Sequence, residues 1–219
     1  MTAMDPVPPP PGQVVILNGP PRAGKTSIAL ALQDHADVAW ITLGVDAAMR
    51  MTPAQLLPGI GLRPGGDRPD LESFIRAHFA ALYESVAAHA RHGLNVAMDL
   101  SGHDAYSRPL GVHRDGALRL AGLPVLFVGV HCPLPVILQR RREAGYLSAQ
   151  TVDATPEPVL RWQREAHNPG VYDLDLDTSE RSPAECAVAI RDRLASGPPG
   201  TAFWRAWPPW PLAHGTQPR

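Results

Sequence analysis

The octapeptide Gly19-Pro20-Pro21-Arg22-Ala23-Gly24-Lys25-Thr26 constrains this chain more than any other feature. It fits G-x-x-x-x-G-K-[ST], a loop whose backbone N–H groups cradle phosphate oxygens. The flanks have the order that this chemistry needs. Val14-Val15-Ile16-Leu17 before it reads as a buried strand. Thr26 to Gln33 after it reads as a helix, with Ile28, Leu30 and Leu32 apolar among alanines. A glycine loop between strand and helix aims a helix N-terminus at an anion. Lys25 is the only lysine in the chain; the other nineteen of its 20 Lys and Arg residues are arginine. The expected nucleotide contacts are Gly19, Pro20, Pro21, Arg22, Ala23, Gly24, Lys25, Thr26 and Ser27. Lys25 is expected on the β- and γ-phosphates and the Thr26 hydroxyl on Mg²⁺.

A chain of 219 residues with 44% hydrophobic residues is long enough for a sizeable core. Its formal net charge of -1 calls for neither nucleic acid nor a membrane surface. Cys132 and Cys186 lie far apart and outside any C-x-x-C pattern, which argues against a disulfide framework or zinc site and suits a reducing cytoplasm. Met1 to Gly12 reads as a disordered proline-rich leader without the basic and apolar regions of a signal peptide. From 13 to 195 the chain alternates strand and helix, the pattern of an α/β domain with a parallel sheet and helices on both faces. Strands are predicted at 14–17, 38–43, 95–98, 124–130 and 172–177. The clearest helix runs from Leu71 to His92, with apolar residues at three- and four-residue steps, Asp70 as N-cap and Gly93 to end it. Weaker helices are expected at 110–120, 133–143, 157–167 and 183–194. Thr52–Pro69, rich in Pro and Gly, is expected to loop over the site. Residues 196–219 form a Pro-rich tail whose Trp204, Trp207 and Trp210 suit an extended strap with one aromatic edge, packed on the domain or offered to a partner.

In open α/β sheets ligands gather at the carboxyl ends of strands. Asp46, just past the second strand, is placed to take the proton of an attacking hydroxyl or to cap the turn at 47–51. Asp99 directly follows the hydrophobic strand 95–98, as does a carboxylate that holds Mg²⁺ in nucleotide-using enzymes. Arg140, Arg141 and Arg142 close a helix, where they complement its dipole or neutralise a transferring phosphoryl group. His103 and Asp104 are candidates for the substrate side. His167 could face the nucleotide or the core. His89 and His92 read as a solvated helix face.

Several segments taken together resemble the chloramphenicol phosphotransferases and their relatives. They are Gly12–Gly19, Gly44-Val45-Asp46, Gly93–Asp99, Val128–Cys132, and Tyr172–Thr178 with Glu185-Cys186-Ala187. The resemblance implies a five-stranded parallel sheet in the order 2-3-1-4-5 and ATP-dependent phosphorylation of a small-molecule hydroxyl. It implies Asp46 as the catalytic base, Arg140 as the lid arginine, and Thr178 beside the adenine. Chloramphenicol, and with it antibiotic resistance, is the acceptor it suggests. A sugar acid, cyclitol or nucleotide sugar is the alternative, and so is a nucleotide-binding regulator with no acceptor. An acidic acceptor would call on Arg50, Arg63 or Arg68. A neutral aromatic one would call on Met49, Met51, Leu56 and Leu57.

Overall fold

The computed structural model describes residues 9–34, 38–146 and 155–208. Five strands form one parallel sheet: β1 (Val14–Asn18), β2 (Trp40–Gly44), β3 (Asn95–Leu100), β4 (Val125–His131) and β5 (Leu174–Asp177), in the order β2-β3-β1-β4-β5. The helices are α1 (Lys25–Asp34), α2 (Val45–Arg50), α3 (Glu72–Arg91), α4 (Val112–Arg119), α5 (Leu134–Glu143), α6 (Glu157–Glu165), α7 (Pro183–Ser196) and α8 (Ala202–Ala206). Parallel strands need crossovers, and the helices that make them cover both faces.

Alternation along each strand divides the core in two. Val14 and Ile16, with Val96, Met98, Val125 and Phe127, face a layer built from α3, α4 and α8. Val15 and Leu17, with Ala97, Leu126 and Val128, face α1 and α7. All five residues of β1 are buried, because it is the central strand with helices on both sides.

Several boundaries shift from the sequence expectation. Asp99 lies inside β3 rather than beyond it, since Leu17 pairs with it in register. Asp70 is not the cap of α3. Leu71 holds that position, and Asp70 takes a bidentate bond from Arg68, at 2.8 and 2.6 Å. The helix expected at 110–120 begins only at Val112, because Gly111 before it takes the left-handed conformation. The loop over the site carries three short 3₁₀ turns, at Ala54–Leu56, Ile60–Leu62 and Pro69–Leu71. Gly12, at the end of the expected leader, donates to the Ala90 carbonyl at 2.8 Å.

The tail is not an extended strap where it is described. Residues 202–206 form a helical turn, and Ala202 and Phe203 are fully buried in the α3/α4 core. Trp204 donates to the Ala117 carbonyl at 3.2 Å, and the Trp207 ring lies 4.6 Å from His113 and 5.4 Å from Phe127. These two tryptophans therefore pack on the chain's own core, and Trp210 lies outside the described residues. Phe203→Ala should cost about 3–5 kcal/mol, the usual scale for emptying a buried aromatic site. Urea denaturation checks this, and a loss below about 1 kcal/mol would mean the tail is an accessory.

Candidate active site

The geometry begins with backbone. Gly24 adopts φ 102, which side-chain-bearing residues rarely tolerate, so glycine is needed there. Lys25 opens α1 and is 6% exposed. Its Nζ donates to the Pro20 carbonyl at 3.1 Å and lies 3.6 Å from Asp99 Oδ1. The Thr26 hydroxyl donates to Asp99 Oδ2 at 2.5 Å. Lysine, hydroxyl and carboxylate thus converge where β1 and β3 end side by side.

Asp46 is brought to the same edge by a glycine. Gly44 pairs with Asp99 in register, and a Cβ on Gly44 would sit 2.8 Å from the Asp99 carbonyl oxygen and 2.9 Å from its Cβ. Only glycine lets β2 close so tightly on Asp99, which explains the glycine of the Gly-Val-Asp stretch. Asp46 then falls in the first turn of α2, exposed, with Gly44 as N-cap. It is therefore not a helix cap.

A cavity of about 1080 Å³ runs along this edge. Its lining includes Lys25, Thr26, Asp46, Asp99, Arg140 and Thr178. It therefore reaches from the end of β2 to the end of β5. Four inter-strand spacings give about 19 Å, room for two ligands end to end.

At the β5 end, Arg140 is held on several sides. It donates to the Thr178 carbonyl at 2.7 Å, to Thr178 Oγ1 at 3.0 Å and to the Arg22 carbonyl at 3.2 Å. Thr178 Oγ1 in turn donates to the Ala23 carbonyl at 2.6 Å. This clamp ties α5 and the β5–α7 turn to the phosphate loop. Arg141, the next residue, has a buried Nε without a hydrogen-bond partner. Burial lowers its pKa, and the positive charges of Arg22 and Arg63 lower it further. Arg142 is exposed.

At the β2 end the walls are Val45, Met49, Leu62, Phe79 and Trp162, with Arg63 among them. Met51, Leu56 and Leu57 are instead solvent-exposed. Arg68 is occupied by Asp70, and Arg50 is exposed outside the cavity lining. Of the loop residues weighed for the acceptor, Arg63 and Met49 line the cavity.

His103 and Asp104 do not line it; both are structural. The His103 Nδ1 accepts from the Ala105 N–H at 3.1 Å, so the ring proton sits on Nε2 and is donated to the Leu62 carbonyl at 2.8 Å. Burial pushes this histidine down to about 4, which keeps it neutral in that role. Asp104 accepts from the N–H groups of Leu110 and Gly111 at 2.8 and 3.1 Å, and so holds the turn that leads into α4. His167 stacks on His131 and bonds the Tyr172 hydroxyl at 2.8 Å, and it is not part of the cavity lining. Its pKa is pushed down to about 4 by burial and by His131.

The sequence did not reveal the clamp on the acceptor loop. Arg161 of α6 donates to the Pro64 carbonyl at 2.6 Å and to Asp67 at 3.0 Å. Its neighbour Trp162 meets His103 edge-on at 5.0 Å. The Arg161 contacts span 97 and 94 residues of sequence, so no local pattern signals them.

A phosphate loop opening onto a carboxylate-bearing strand, within a sheet of order 2-3-1-4-5, defines a kinase-like phosphotransferase of the P-loop fold. Residues 12–195 match the family model described as "Chloramphenicol phosphotransferase-like protein", and the chain belongs to that family. A Mycobacterium tuberculosis H37Rv protein named "Putative O-phosphotransferase" is 29% identical over 211 residues, covering 90% of this chain and 88% of that protein. Among solved structures, the APS kinase CysC of Mycobacterium tuberculosis in complex with AMPPNP and APS superposes with a TM-score of 0.58 at 20% identity, over 86% of this chain and 100% of the other. A gluconokinase from Sinorhizobium meliloti gives 0.56 at 20% identity, over 85% and 95%. At such identities these likenesses establish the fold. Among the described residues no helix is long and apolar enough to cross a membrane.

Proposed function

We propose that the chain transfers the γ-phosphoryl group of ATP to a hydroxyl of a small-molecule acceptor. The observation that carries this reading is the placement of Asp46 and the Lys25/Thr26/Asp99 cluster in one cavity, at the ends of neighbouring strands. The site residues fit Mg·ATP. Thr26 and Asp99 offer a hard, all-oxygen pair. Among the described residues no three His, Cys, Asp or Glu side chains cluster. Two protein oxygens suit Mg²⁺, which keeps waters and phosphate oxygens for the rest of its shell. Bound Mg·ATP supplies an activated phosphoryl group. Gly24 and the neighbouring backbone leave room for phosphate oxygens, and Lys25 exchanges its contact with the Pro20 carbonyl for them. Arg140 and Thr178 order the β5 side of the cavity for the base. Asp46 orients the acceptor hydroxyl and accepts its proton, at the opposite side of Lys25 from Thr178. Arg141, half-buried, is better placed than the clamped Arg140 to meet charge on the moving phosphoryl group.

Chloramphenicol is the acceptor suggested by the family, and the apolar wall of Met49, Leu62, Phe79 and Trp162 would take a neutral aromatic molecule. ADP release from Mg·ATP, with and without chloramphenicol and a panel of alcohols and sugar acids, tests the reading, with mass spectrometry for the added phosphate. Tight ATP binding without stimulated turnover on any acceptor would favour a regulatory nucleotide-binding protein instead.

A further inference from the structure

Three guanidinium-bearing residues line the cavity: Arg22 of the phosphate loop, Arg141 of α5 and Arg63 of the acceptor loop. Arg141 lies within electrostatic range of both others, and all interactions among the three are repulsive. Among the described residues no carboxylate pairs with any of them, whereas Arg68, Arg119 and Arg161 all have carboxylate partners. The Arg22 guanidinium lies over the Tyr146 ring, 4.2 Å from its centroid. The Arg141 Nε is buried and without a hydrogen-bond partner. Like charges held close together around an open cavity call for an anionic ligand.

Nucleotide phosphates account for part of this need. Arg22 belongs to the phosphate loop, and Arg141 extends from the helix whose preceding residue clasps that loop. Arg63 is different. It follows Leu62, whose carbonyl is pinned by His103, and it precedes Pro64, whose carbonyl is pinned by Arg161. Its backbone is thus fixed from both sides by parts of the chain that bind no phosphate. It stands with Met49, Leu62, Phe79 and Trp162, on the side of the cavity where Asp46 would meet the acceptor hydroxyl. Of the three carboxylates in the lining, Asp46, Asp99 and Glu143, none forms an ion pair with Arg63, and two have other partners. Asp99 holds Lys25 and Thr26, and Glu143 takes a hydrogen bond from Gln139 at 2.9 Å.

We infer that the acceptor end of the cavity is an anion subsite, in which Arg63, backed by Arg141, binds a carboxylate or phosphate group carried by the hydroxylated acceptor. The inference rests on the phosphotransferase reading for the word acceptor, but the subsite is testable without turnover. A guanidinium gives a planar fork of donors suited to either anion, and the apolar wall takes the carbon skeleton. A neutral acceptor would leave Arg63 half-buried and uncompensated.

The test uses the full chain saturated with Mg·AMPPNP, so that the phosphate loop is filled. Gluconate is titrated against glucose, and glucose 6-phosphate against glucose, by calorimetry, for wild type, Arg63→Ala and Arg63→Lys. At least one anion should bind where glucose does not. Arg63→Ala should weaken it by about 10-fold or more, the scale of one charged hydrogen-bonded pair. Arg63→Lys should recover part of that loss, and AMPPNP affinity should not change. Removing one of three repelling charges should leave the melting temperature of the nucleotide-free protein unchanged or raise it; a drop would mark Arg63 as structural and overturn the inference. Binding of neither anion, or binding indifferent to Arg63→Ala, would also overturn it. ADP release is measured alongside with the same compounds and chloramphenicol. Stimulation by chloramphenicol or glucose alone, unchanged in Arg63→Ala, would sink the anion subsite and keep the phosphotransferase. Arg63-dependent anion binding with no stimulated ADP release would sink the phosphotransferase and keep the subsite.

Discussion

Lys25→Ala should lower acceptor-dependent ADP release by about 10²–10³-fold or more, the scale for one preorganised group on developing charge. The variant should still fold. Lys25 packs at a helix start where alanine is the best helix former, and its polar contacts are one carbonyl and Asp99. What it supplies is position. Held 3.6 Å from Asp99 and 6% exposed, its ammonium is fixed between β1 and β3 where phosphates would arrive. No other lysine exists in the chain to replace it, and the clamped Arg140 cannot. Thermal denaturation separates lost chemistry from lost fold. A folded variant with unchanged turnover would end the phosphate-loop argument.

Asp46→Asn should leave Mg·ATP affinity within about twofold of wild type and lower kcat by about 10²-fold or more, as expected for a positioned acid–base group. The substitution keeps size and hydrogen bonding but removes the proton acceptor. Asp46 makes no contact on which the fold depends, since it is exposed and α2 is capped by Gly44. Nucleotide titration and steady-state kinetics decide the matter together. Lost ATP binding would make Asp46 a metal-linked group, and unchanged kcat would place the base elsewhere.

Much of this architecture is legible in the chain because it is local. A strand, a glycine loop and a helix in succession are written in 25 consecutive residues or fewer, and burial on both faces makes each strand a continuous apolar run. Asp46 and Asp99 could be named from sequence because ligand sites in such sheets lie at strand ends. Boundaries were less legible. Asp99 reads as a residue beyond its strand, yet pairing with Leu17 draws it in. Trp204 and Trp207 read as a strap because prolines surround them, yet burial of Phe203 beside them winds the segment into a helical turn. Asp70 reads as a cap, and a neighbouring arginine takes it away.

By itself, the sequence determined the phosphate loop, the parallel sheet and its ligand edge. The phosphate loop follows from spacing within one segment, where covalent proximity sets the geometry, and the sheet with its ligand edge follows from the alternation of strand and helix along the chain. The tertiary structure alone decided which charges meet. Arg140 and Arg141 are adjacent in the chain and look equivalent, yet one is consumed by Thr178 and the Arg22 carbonyl and the other is left facing Arg22 and Arg63. Arg50, Arg63 and Arg68 likewise look equivalent. Asp70 neutralises one, solvent takes another, and His103 and Arg161 fix the loop so that only Arg63 lines the cavity. Coulomb interactions depend on distance in space, and packing of segments far apart in the chain sets that distance.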